Sequence, residues 1–505
     1  MDKKLTIYYT SDVHGYYSPM DYATGKRTAS GLANCMSGFS NAANTLIIDG
    51  GDILQGSPLT CYLYSKRKNG ECAAAKLMNI AGYDFVTLGN HDFNYGKHEI
   101  EKYIGELNAR CLCANVEGIA NVEKTAVITL ENGLKVGLTG ATTHYVSMWE
   151  KPENLEGITV SDAFEAVKRA LNELKSQGAD ITICIYHGGF ENDVATGKKL
   201  SSTDENQGCR ICEELDFDIL LAGHQHMAAE NAVINNTFTC QPADKAKQYI
   251  KMEVSVGEDK RVKAVSRLMD AGSKTHEAAE RYIMPIEEDN AKWLDTPVGH
   301  LDIALLPSSH IDMAENGSYI ANFFNQVQLD ASGADISATS LANTVKGFNK
   351  DVTIRDIVST YIFPNTLKTV LVERSILKKA LERSAEYFSI NNDGRLTVSG
   401  AFLKPIEQHF NFDYISGIDV TVDARRALGD RVISIKYNGC ELEDGKMLKL
   451  CLNNYRASGA GGYDVYKSCQ TVREQPTEIA EMIIEYVLRH GSITVDRTRW
   501  LKVIY

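Results

Sequence analysis

The sequence lacks any long apolar run, and this absence bears first on membranes and export. No uninterrupted apolar stretch approaches the roughly 20 residues that a membrane-spanning helix needs. Residues 5–9 (LTIYY) are shorter than the core of a signal peptide, and they lead directly into the polar Ser11 and Asp12. We interpret them as a first strand. From the sequence as it stands we expect a cytoplasmic protein without a membrane partner, whereas a removed leader would indicate a periplasmic or extracellular one.

Positive charge is also in deficit. The chain of 505 residues has 53 Lys and Arg against 66 Asp and Glu, a formal net charge of −13. This argues against a nucleic acid polymer as partner, because such binding depends on cationic side chains that neutralise phosphates. A small phosphate ester is not excluded, since bound metal ions can reverse the local sign of charge. The length allows two to four domains at about 100–200 residues each.

Paired cysteine knuckles are missing as well. Among 12 cysteines, the only close pairs are Cys111 with Cys113 and Cys209 with Cys212, whereas a zinc ribbon needs two Cys-x-x-Cys-like knuckles. We therefore favour reduced thiols, as in cytosolic proteins, over a disulfide or a structural zinc.

What the first half does contain is an alternation of two patterns. Short runs rich in β-branched residues predict strands at residues 5–10, 45–48, 83–88, 135–139, 180–186 and 217–221. Helical spacing predicts helices at 72–81 and 161–175, the latter with Ser161 as N-cap. Strands alternating with helices predict an α/β domain, and their continuous apolar character predicts strands buried on both faces.

A change of pattern near residue 286 divides the chain. Residues 312–332 have helical spacing and predict a connecting helix, and a second α/β-like region follows. We accordingly expect an N-terminal domain at 1–311, the helix at 312–332 and a C-terminal domain at 333–505.

Side chains that bind metal ions follow the apolar runs of the first half. In open α/β sheets ligands bind beyond the carboxyl ends of the strands, so these clusters should converge on one edge. They are Asp12-Val13-His14-Gly15, Asp49-Gly50-Gly51-Asp52, Gly89-Asn90-His91-Asp92, His187-Gly188-Gly189 and Gly223-His224-Gln225-His226.

The spacing and the residue types point to two ions. In an extended segment, residues two apart face the same side, so Asp12 with His14, and His224 with His226, should each aim at one site. Imidazole and carboxylate ligands suit Zn²⁺, Mn²⁺ or Fe²⁺. The ligands are too many for one ion, and they fit a two-metal site with a bridging carboxylate.

The order of these motifs resembles that of the calcineurin-like metallophosphoesterases. The whole chain resembles the two-domain 5′-nucleotidase family, and within it the bifunctional 2′,3′-cyclic-nucleotide 2′-phosphodiesterase/3′-nucleotidases. Residues 51–59, 89–96, 361–367 and 453–457 carry the narrower resemblance. It implies a four-layer α/β/β/α sandwich followed by a second α/β domain.

The resemblance also implies roles. Asp12, His14 and His226 would hold one divalent ion, Mn²⁺ or Zn²⁺. Asp52 would bridge to a second ion, which Asn90, His187 and His224 would hold. His91 would be the catalytic histidine beside the phosphate. Its partner in the 5′-nucleotidase branch is an Asp, whereas this sequence has Asn94 at that position.

The second domain would bind the base between two aromatic rings, one from Phe410 or Phe412 and the other from Tyr463. Such stacking tolerates any base. Because Phe410 and Phe412 alternate, one of them can instead be a core residue. Many 5′-nucleotidases grip the substrate with an arginine in a loop where this chain offers Lys346, and lysine lacks the bidentate fork.

The resemblance therefore implies an enzyme that opens 2′,3′-cyclic nucleotides to 3′-nucleotides and then releases the nucleoside. The alternatives are a 5′-nucleotidase or UDP-sugar hydrolase with the same metal centre, and an inactive nucleotide-binding protein. We expect a monomer or a small homo-oligomer.

Overall fold

The chain folds into two compact units, Met1–Trp293 and Leu294–Tyr505. The structure, a computed structural model, describes residues 2–67, 70–150, 152–200, 204–363, 365–404 and 407–505, without the side chains of Trp149 and Pro476. Pro364, within the 361–367 stretch that carries part of the resemblance, lies outside these residues.

Two mixed sheets form the first unit. Its strands are β1 (Lys3–Thr10), β2 (Met20–Asp21), β3 (Lys26–Arg27), β4 (Thr45–Asp49), β5 (Phe85–Val86), β6 (Arg110–Leu112), β7 (Val116–Glu117), β8 (Val122–Glu123), β9 (Thr125–Thr129), β10 (Lys135–Thr142), β11 (Thr159–Val160), β12 (Ile181–His187), β13 (Ile219–Ala222), β14 (Ala229–Ile234), β15 (Thr237–Gln241), β16 (Gln248–Val256) and β17 (Val262–Asp270). The first sheet has the order β17-β16-β1-β4-β5-β6-β8, and the second has the order β14-β15-β13-β12-β10-β9.

Alternation along the strands builds the core between these sheets. Leu5, Ile7 and Tyr9 of β1 point into one cluster with Ile183 and Ile185 of β12. The register of β1 against β4 is parallel, as is that of β10 against β12 and of β12 against β13. Because the central strands run in parallel, their carboxyl ends meet at one edge of each sheet.

Helices complete the first unit. They are α1 (Leu32–Cys35), α2 (Pro58–Lys66), α3 (Ala73–Ala81), α4 (Lys97–Glu106), α5 (Val146–Trp149), α6 (Ala163–Ser176), α7 (Gly208–Glu214) and α8 (Glu277–Leu294). Helices α6 and α7 bury apolar side chains against the outer face of the second sheet. The N-cap of α6 is Asp162, which accepts from the Glu165 N–H, and not the predicted Ser161. The predicted four-layer α/β/β/α arrangement is confirmed.

The second unit is also α/β. Its strands are β18 (Pro297–Leu301), β19 (Ile336–Ser340), β20 (Asp351–Thr353), β21 (Thr366–Val372), β22 (Phe388–Ile390), β23 (Leu396–Val398), β24 (Asp413–Ser416), β25 (Asp419–Asp423), β26 (Val432–Tyr437), β27 (Cys440–Glu441), β28 (Leu448–Asn453), β29 (Thr471–Glu478), β30 (Ser492–Ile493) and β31 (Leu501–Ile504). Its helices are α9 (His310–Asn316), α10 (Tyr319–Ser332), α11 (Ile354–Thr360), α12 (Arg374–Ala385), α13 (Asn454–Ala457) and α14 (Ile479–His490). The sheet with the order β24-β19-β28-β21-β29 lies at its centre.

The division between the units differs from the predicted boundaries in two ways. Strand β18, which the sequence assigned to the N-terminal domain, pairs with β20 and β30 of the second unit. The predicted helix at 312–332 is two helices, because Gly317 at φ 91° ends α9 and Ser318 caps α10. Asn325 of α10 donates to the Tyr414 carbonyl, so this helix belongs to the second unit and does not connect the two.

The remaining sequence expectations concern membranes and thiols. Among the described residues, no helix is both long and apolar enough to cross a membrane. All 12 cysteines lie within the described residues, each as a free thiol, and Cys440 alone among them is exposed.

Candidate metal centre

The predicted metal ligands lie at the carboxyl ends of the parallel strands. Asp12 follows β1 by two residues, Asp52 follows β4 by three, and His187 is the last residue of β12. Asn90 immediately precedes a short 3₁₀ helix, His91–Phe93, and His224 follows β13 by two residues.

The backbone at this edge is strained, and the strain falls on the ligands themselves. Asp12, His14, Asp52, His224 and His226 have φ values of 55°, 50°, 56°, 78° and 55°, in the left-handed region that non-glycine residues rarely adopt. The sequence argument that these segments are extended is therefore wrong, although the side chains do converge. Non-glycine residues held in such conformations cluster at functional sites.

Six of the predicted ligands form two groups of three. Asp12, His14 and His226 make one group, and Asp52, His187 and His224 make the other; within each, one ligand atom per residue lies within 4.8 Å of the others. Asp52 Oδ2 stands 3.1 Å from His187 Nε2 and 3.7 Å from His14 Nε2. This oxygen therefore faces both groups, as a bridging carboxylate must.

The donor set fits divalent metal ions. Asp52 Oδ2, Asn90 Oδ1 and His187 Nε2 are buried; Asn90 Oδ1 has no hydrogen-bond partner among the described residues, and Asp52 Oδ2 and His187 Nε2 face each other at 3.1 Å. Buried polar atoms left in this way cost free energy unless something coordinates them. Nitrogen and oxygen donors of these types suit Zn²⁺ or Mn²⁺.

Outer partners orient the histidine rings. His14 Nδ1 donates to the Gln55 carbonyl at 3.0 Å, and His187 Nδ1 donates to the Gly50 carbonyl at 2.6 Å, so Nε2 is the metal-binding atom of both. His224 is turned the other way, because its Nε2 hydrogen-bonds Glu205 Oε1 at 2.9 Å. Sequence reasoning missed Glu205, which lies in no motif and is brought to His224 only by the fold.

When no metal ion is bound, burial and the nearby carboxylates have opposite effects on the pKa values of two of the histidines. Burial lowers the pKa of His14 well below its usual value, despite the nearby Asp52. Burial also opposes the charge of His187, but Asp52 and Asp12 outweigh it and raise the pKa of His187 to about 10. The pKa of Asp52 is lowered in turn, and these opposite shifts of His187 and Asp52 describe an ion pair between them when no metal ion is bound.

A second carboxylate, Asp92, shapes the loop that carries Asp52. It accepts N–H bonds from Asp52 at 3.0 Å, Ile53 at 2.9 Å, Leu54 at 2.9 Å and Gly89 at 2.8 Å. A Cβ on Gly89 would lie only 2.1 Å from Asp52 Oδ1, so glycine is needed there. The sequence signal for Asp92 was its place within the Gly-Asn-His-Asp motif, but no role followed from it.

The predicted catalytic histidine lies beside the two groups. Its backbone N–H donates to Asp52 Oδ1 at 2.7 Å, and its ring centroid is 5.2 Å from that of His14. His91 Nδ1 contacts Asn94 Oδ1 at 2.8 Å. Asn94 therefore occupies the position at which the resemblance implied an acidic partner, and it offers a neutral amide oxygen there.

In the second unit, the predicted base-binding residues differ in exposure. Phe412 is 2% exposed and packs against Tyr387 and Tyr414, both with ring centroids 4.9 Å away. Phe410 is half-buried, and its nearest described ring is Phe363 at 6.4 Å. Of the two alternatives, Phe412 is thus a core residue here, and Phe410 retains accessible surface.

The other two predicted substrate contacts lie on different loops. Tyr463 is 1% exposed; its hydroxyl donates to the Asn411 carbonyl, and the Arg456 guanidinium lies 4.1 Å from its ring centroid. Lys346 is exposed. Sequence reasoning missed Arg456, although it belongs to the 453–457 stretch of the resemblance.

Comparisons with known proteins agree with this architecture. Residues 5–228 match the family model of calcineurin-like phosphoesterases, and residues 297–468 match that of the 5′-nucleotidase C-terminal domain. A Staphylococcus aureus structure assigned as a 5′-nucleotidase is 31% identical, with a TM-score of 0.67 over 100% of both chains.

Two curated bacterial proteins are more distant relatives. The 2′,3′-cyclic-nucleotide 2′-phosphodiesterase/3′-nucleotidase of Yersinia enterocolitica is 22% identical over 97% of this chain and 86% of its own. The trifunctional nucleotide phosphoesterase YfkN of Bacillus subtilis is 26% identical over 97% of this chain, which spans only 38% of that protein.

Fold and site together define a phosphoester hydrolase of the kind that uses divalent metal ions. The chain belongs to the 5′-nucleotidase family, whose members join a calcineurin-like phosphoesterase domain to a 5′-nucleotidase C-terminal domain.

Proposed function

We propose that this protein hydrolyses 2′,3′-cyclic nucleotides to 3′-nucleotides, and 3′-nucleotides to nucleosides and phosphate. The observation that carries a phosphoesterase activity is the pair of three-ligand groups that face one carboxylate oxygen of Asp52. Relatives in Yersinia enterocolitica and Salmonella typhimurium that carry this bifunctional name support the narrower substrate class.

Seven side chains would hold two divalent ions, Mn²⁺ or Zn²⁺. Asp52 would bridge them; the others are Asp12, His14 and His226 on one side, and Asn90, His187 and His224 on the other. Two such ions would act as Lewis acids. Their positive charge would stabilise the attacking and leaving oxygens during in-line displacement at the phosphoryl group.

His91 supplies the proton chemistry that the chain itself provides. Its Nδ1 is engaged by Asn94, so Nε2 is the atom that would meet the reacting phosphate. Water adds to phosphorus and loses a proton as the bond from phosphorus to O2′ breaks. His91, as an imidazolium with a proton on each ring nitrogen, would give its Nε2 proton to the leaving oxygen, and the proton lost by the water would replace it. In the second reaction the bond to O3′ breaks in the same way, which releases phosphate and the nucleoside.

The second unit would supply contacts to the base. Phe410, which retains accessible surface, is the proposed stacking residue, and a stacking contact contributes about 1–3 kcal/mol for any base. The second predicted ring, Tyr463, is 1% exposed and lies under the Arg456 guanidinium, so it is a core residue like Phe412 and is not part of this proposal. Lys346 would offer one positive charge where many 5′-nucleotidases carry an arginine, and this difference supports the cyclic phosphodiesterase assignment over 5′-nucleotide specificity.

Hydrolysis of three substrates by the Mn²⁺- or Zn²⁺-loaded protein tests the proposal. We expect kcat/KM to be highest for 2′,3′-cAMP and 3′-AMP, and lowest for 5′-AMP. A clear preference for 5′-AMP would overturn the narrow assignment and favour a 5′-nucleotidase, the activity assigned to the Staphylococcus aureus relative. Binding of nucleotide without turnover would indicate an inactive protein.

A further inference from the structure

A carboxylate, that of Glu150, is linked to the predicted catalytic histidine through Asn94. Asn94 contacts His91 Nδ1 with its oxygen, and its Nδ2 donates to Glu150 Oε2. Glu150 follows helix α5 directly, and its N–H donates to the Val146 carbonyl at 2.9 Å. A chain of hydrogen bonds thus runs from the imidazole through a neutral amide to a carboxylate.

Asn154 holds that carboxylate in place. Its Nδ2 donates to Glu150 Oε1 at 2.9 Å and to the Asn94 carbonyl at 2.9 Å. Both oxygens of Glu150 therefore accept from asparagine amides, and the backbone and side chain of Asn94 are each tied into the same cluster.

The chemistry of these groups determines which atom donates and which accepts in each hydrogen bond. An ionised carboxylate only accepts hydrogen bonds, so Asn94 must turn its NH₂ group toward Glu150 and its oxygen toward His91. A carbonyl oxygen also only accepts, so the proton of the ring must sit on Nδ1. Nε2 then becomes the nitrogen that exchanges a proton with the substrate.

We propose that Glu150 is a positioning residue for catalysis: through Asn94 it fixes the tautomer of His91. The carboxylate therefore acts on the imidazole from one hydrogen bond away, through the Asn94 amide. This inference rests on the catalytic role proposed for His91 and names a further residue that supports it.

Glu150→Gln is the sharpest variant, because it keeps the shape and removes one acceptor. The new amide can donate to Asn94, which allows Asn94 to flip and present its NH₂ group to His91. The ring proton would then move to Nε2. Glu153→Gln is the matched control, since Glu153 is exposed and lies three residues along the chain.

The tautomer is measured by ¹⁵N NMR of histidine-labelled, Zn²⁺-loaded protein at alkaline pH, with His91 assigned from the spectrum of His91→Gln. We expect the proton on Nδ1 in the parent and in Glu153→Gln, and on Nε2 in a substantial fraction of Glu150→Gln molecules. An unchanged proton position in Glu150→Gln would overturn the inference. No substrate is present, so this result stands whichever nucleotide the protein hydrolyses.

Kinetics provide the second arm. We expect Glu150→Gln to lower kcat for 2′,3′-cAMP by about 10- to 100-fold, the scale typical of removing an outer partner of a metal-ligating histidine, while KM stays within about twofold. The double variant N94D/E150Q exchanges acid and amide and satisfies each group again. We expect it to recover most of kcat; a double variant no better than Glu150→Gln would contradict the relay, given equal melting temperatures.

Discussion

Arg456 and Asp413 form a buried ion pair that joins the two loops proposed to hold the base. Arg456 Nε donates to Asp413 Oδ1 at 2.9 Å, and the two side chains are 2% and 9% exposed. The same guanidinium donates to the Phe410 carbonyl at 2.8 Å and to the Ala460 carbonyl at 2.9 Å. Although burial opposes the charge, Asp413 keeps the pKa of Arg456 above its usual range.

Removal of this arginine should be costly. Arg456→Ala leaves Asp413 buried without its partner, so we expect the free energy of unfolding to fall by about 3–5 kcal/mol. Urea unfolding of the full chain measures this loss. Arg425→Ala breaks a pair with Asp423 in which the arginine is 59% exposed, and it serves as the control, for which we expect a much smaller change. Equal losses in the two variants would show that burial does not govern the Arg456 pair.

The two phenylalanines near β24 should respond differently to truncation. Phe410→Ala should raise KM for nucleotides by about 5- to 150-fold, the equivalent of about 1–3 kcal/mol of lost stacking, with little change in stability. Phe412→Ala empties a core position and should lower the free energy of unfolding by about 3–5 kcal/mol.

Steady-state kinetics and thermal melting of both variants check this assignment. Ribose 3-phosphate, which has no base, is the control substrate, and its KM should not respond to Phe410→Ala. A larger effect of Phe412→Ala on nucleotide KM, without loss of stability, would reverse the roles.

A structural feature can be predicted from the sequence when neighbouring residues determine it, and not when contacts between distant residues do. The carboxyl end of β1 at Thr10 follows from local pattern, and the metal ligands follow from short motifs at strand ends. The left-handed conformations of Asp12 and His224 do not, because they arise from tertiary hydrogen bonds such as that from the His224 N–H to Asp12 Oδ1 at 2.9 Å.

The short sequence motifs did not reveal the residues that act by positioning another side chain. Glu150 reaches Asn94 across 56 residues of sequence, and Glu205 reaches His224 across 19. Neither lies in a patterned segment, and a glutamate outside a motif looks like any surface glutamate. The break at Gly317 was visible in the sequence, but apolar spacing on either side of it suggested one continuous helix.

Glu205 should tune metal binding at one of the two positions. Its hydrogen bond fixes the orientation of the His224 ring, and loss of such a partner typically weakens metal affinity by about 10- to 100-fold. We expect Glu205→Ala to show one weakened Zn²⁺ site and one unchanged site in competition with a chelator. Glu213→Gln, an exposed change at the end of α7, is the control. Two sites of unchanged affinity would remove Glu205 from this role.

Chelation should destabilise the chain, because the ligands' buried polar atoms then lose their partner. A ligand that binds only the folded state at 100 times its Kd contributes about 2.7 kcal/mol. We expect EDTA to lower the melting temperature, and Mn²⁺ or Zn²⁺ to restore it. The Asp52→Asn variant should respond less, since its bridging charge is gone; an equal response would indicate metal binding elsewhere.

Metal binding should release a proton from His187. In the metal-free chain burial opposes the charge of this ring, but Asp52 and Asp12 raise its pKa to about 10, so near neutral pH it carries the proton that an ion must displace. Apparent affinity should therefore rise with pH, by up to about tenfold per pH unit for one displaced proton. Calorimetric titration with Zn²⁺ in buffers of different ionisation enthalpy counts the protons released. His98→Gln, at an exposed ring outside the centre, should leave that count unchanged, whereas His187→Gln should lower it by one. A count that is the same in all three proteins would place the proton elsewhere and show that His187 is neutral before the metal binds.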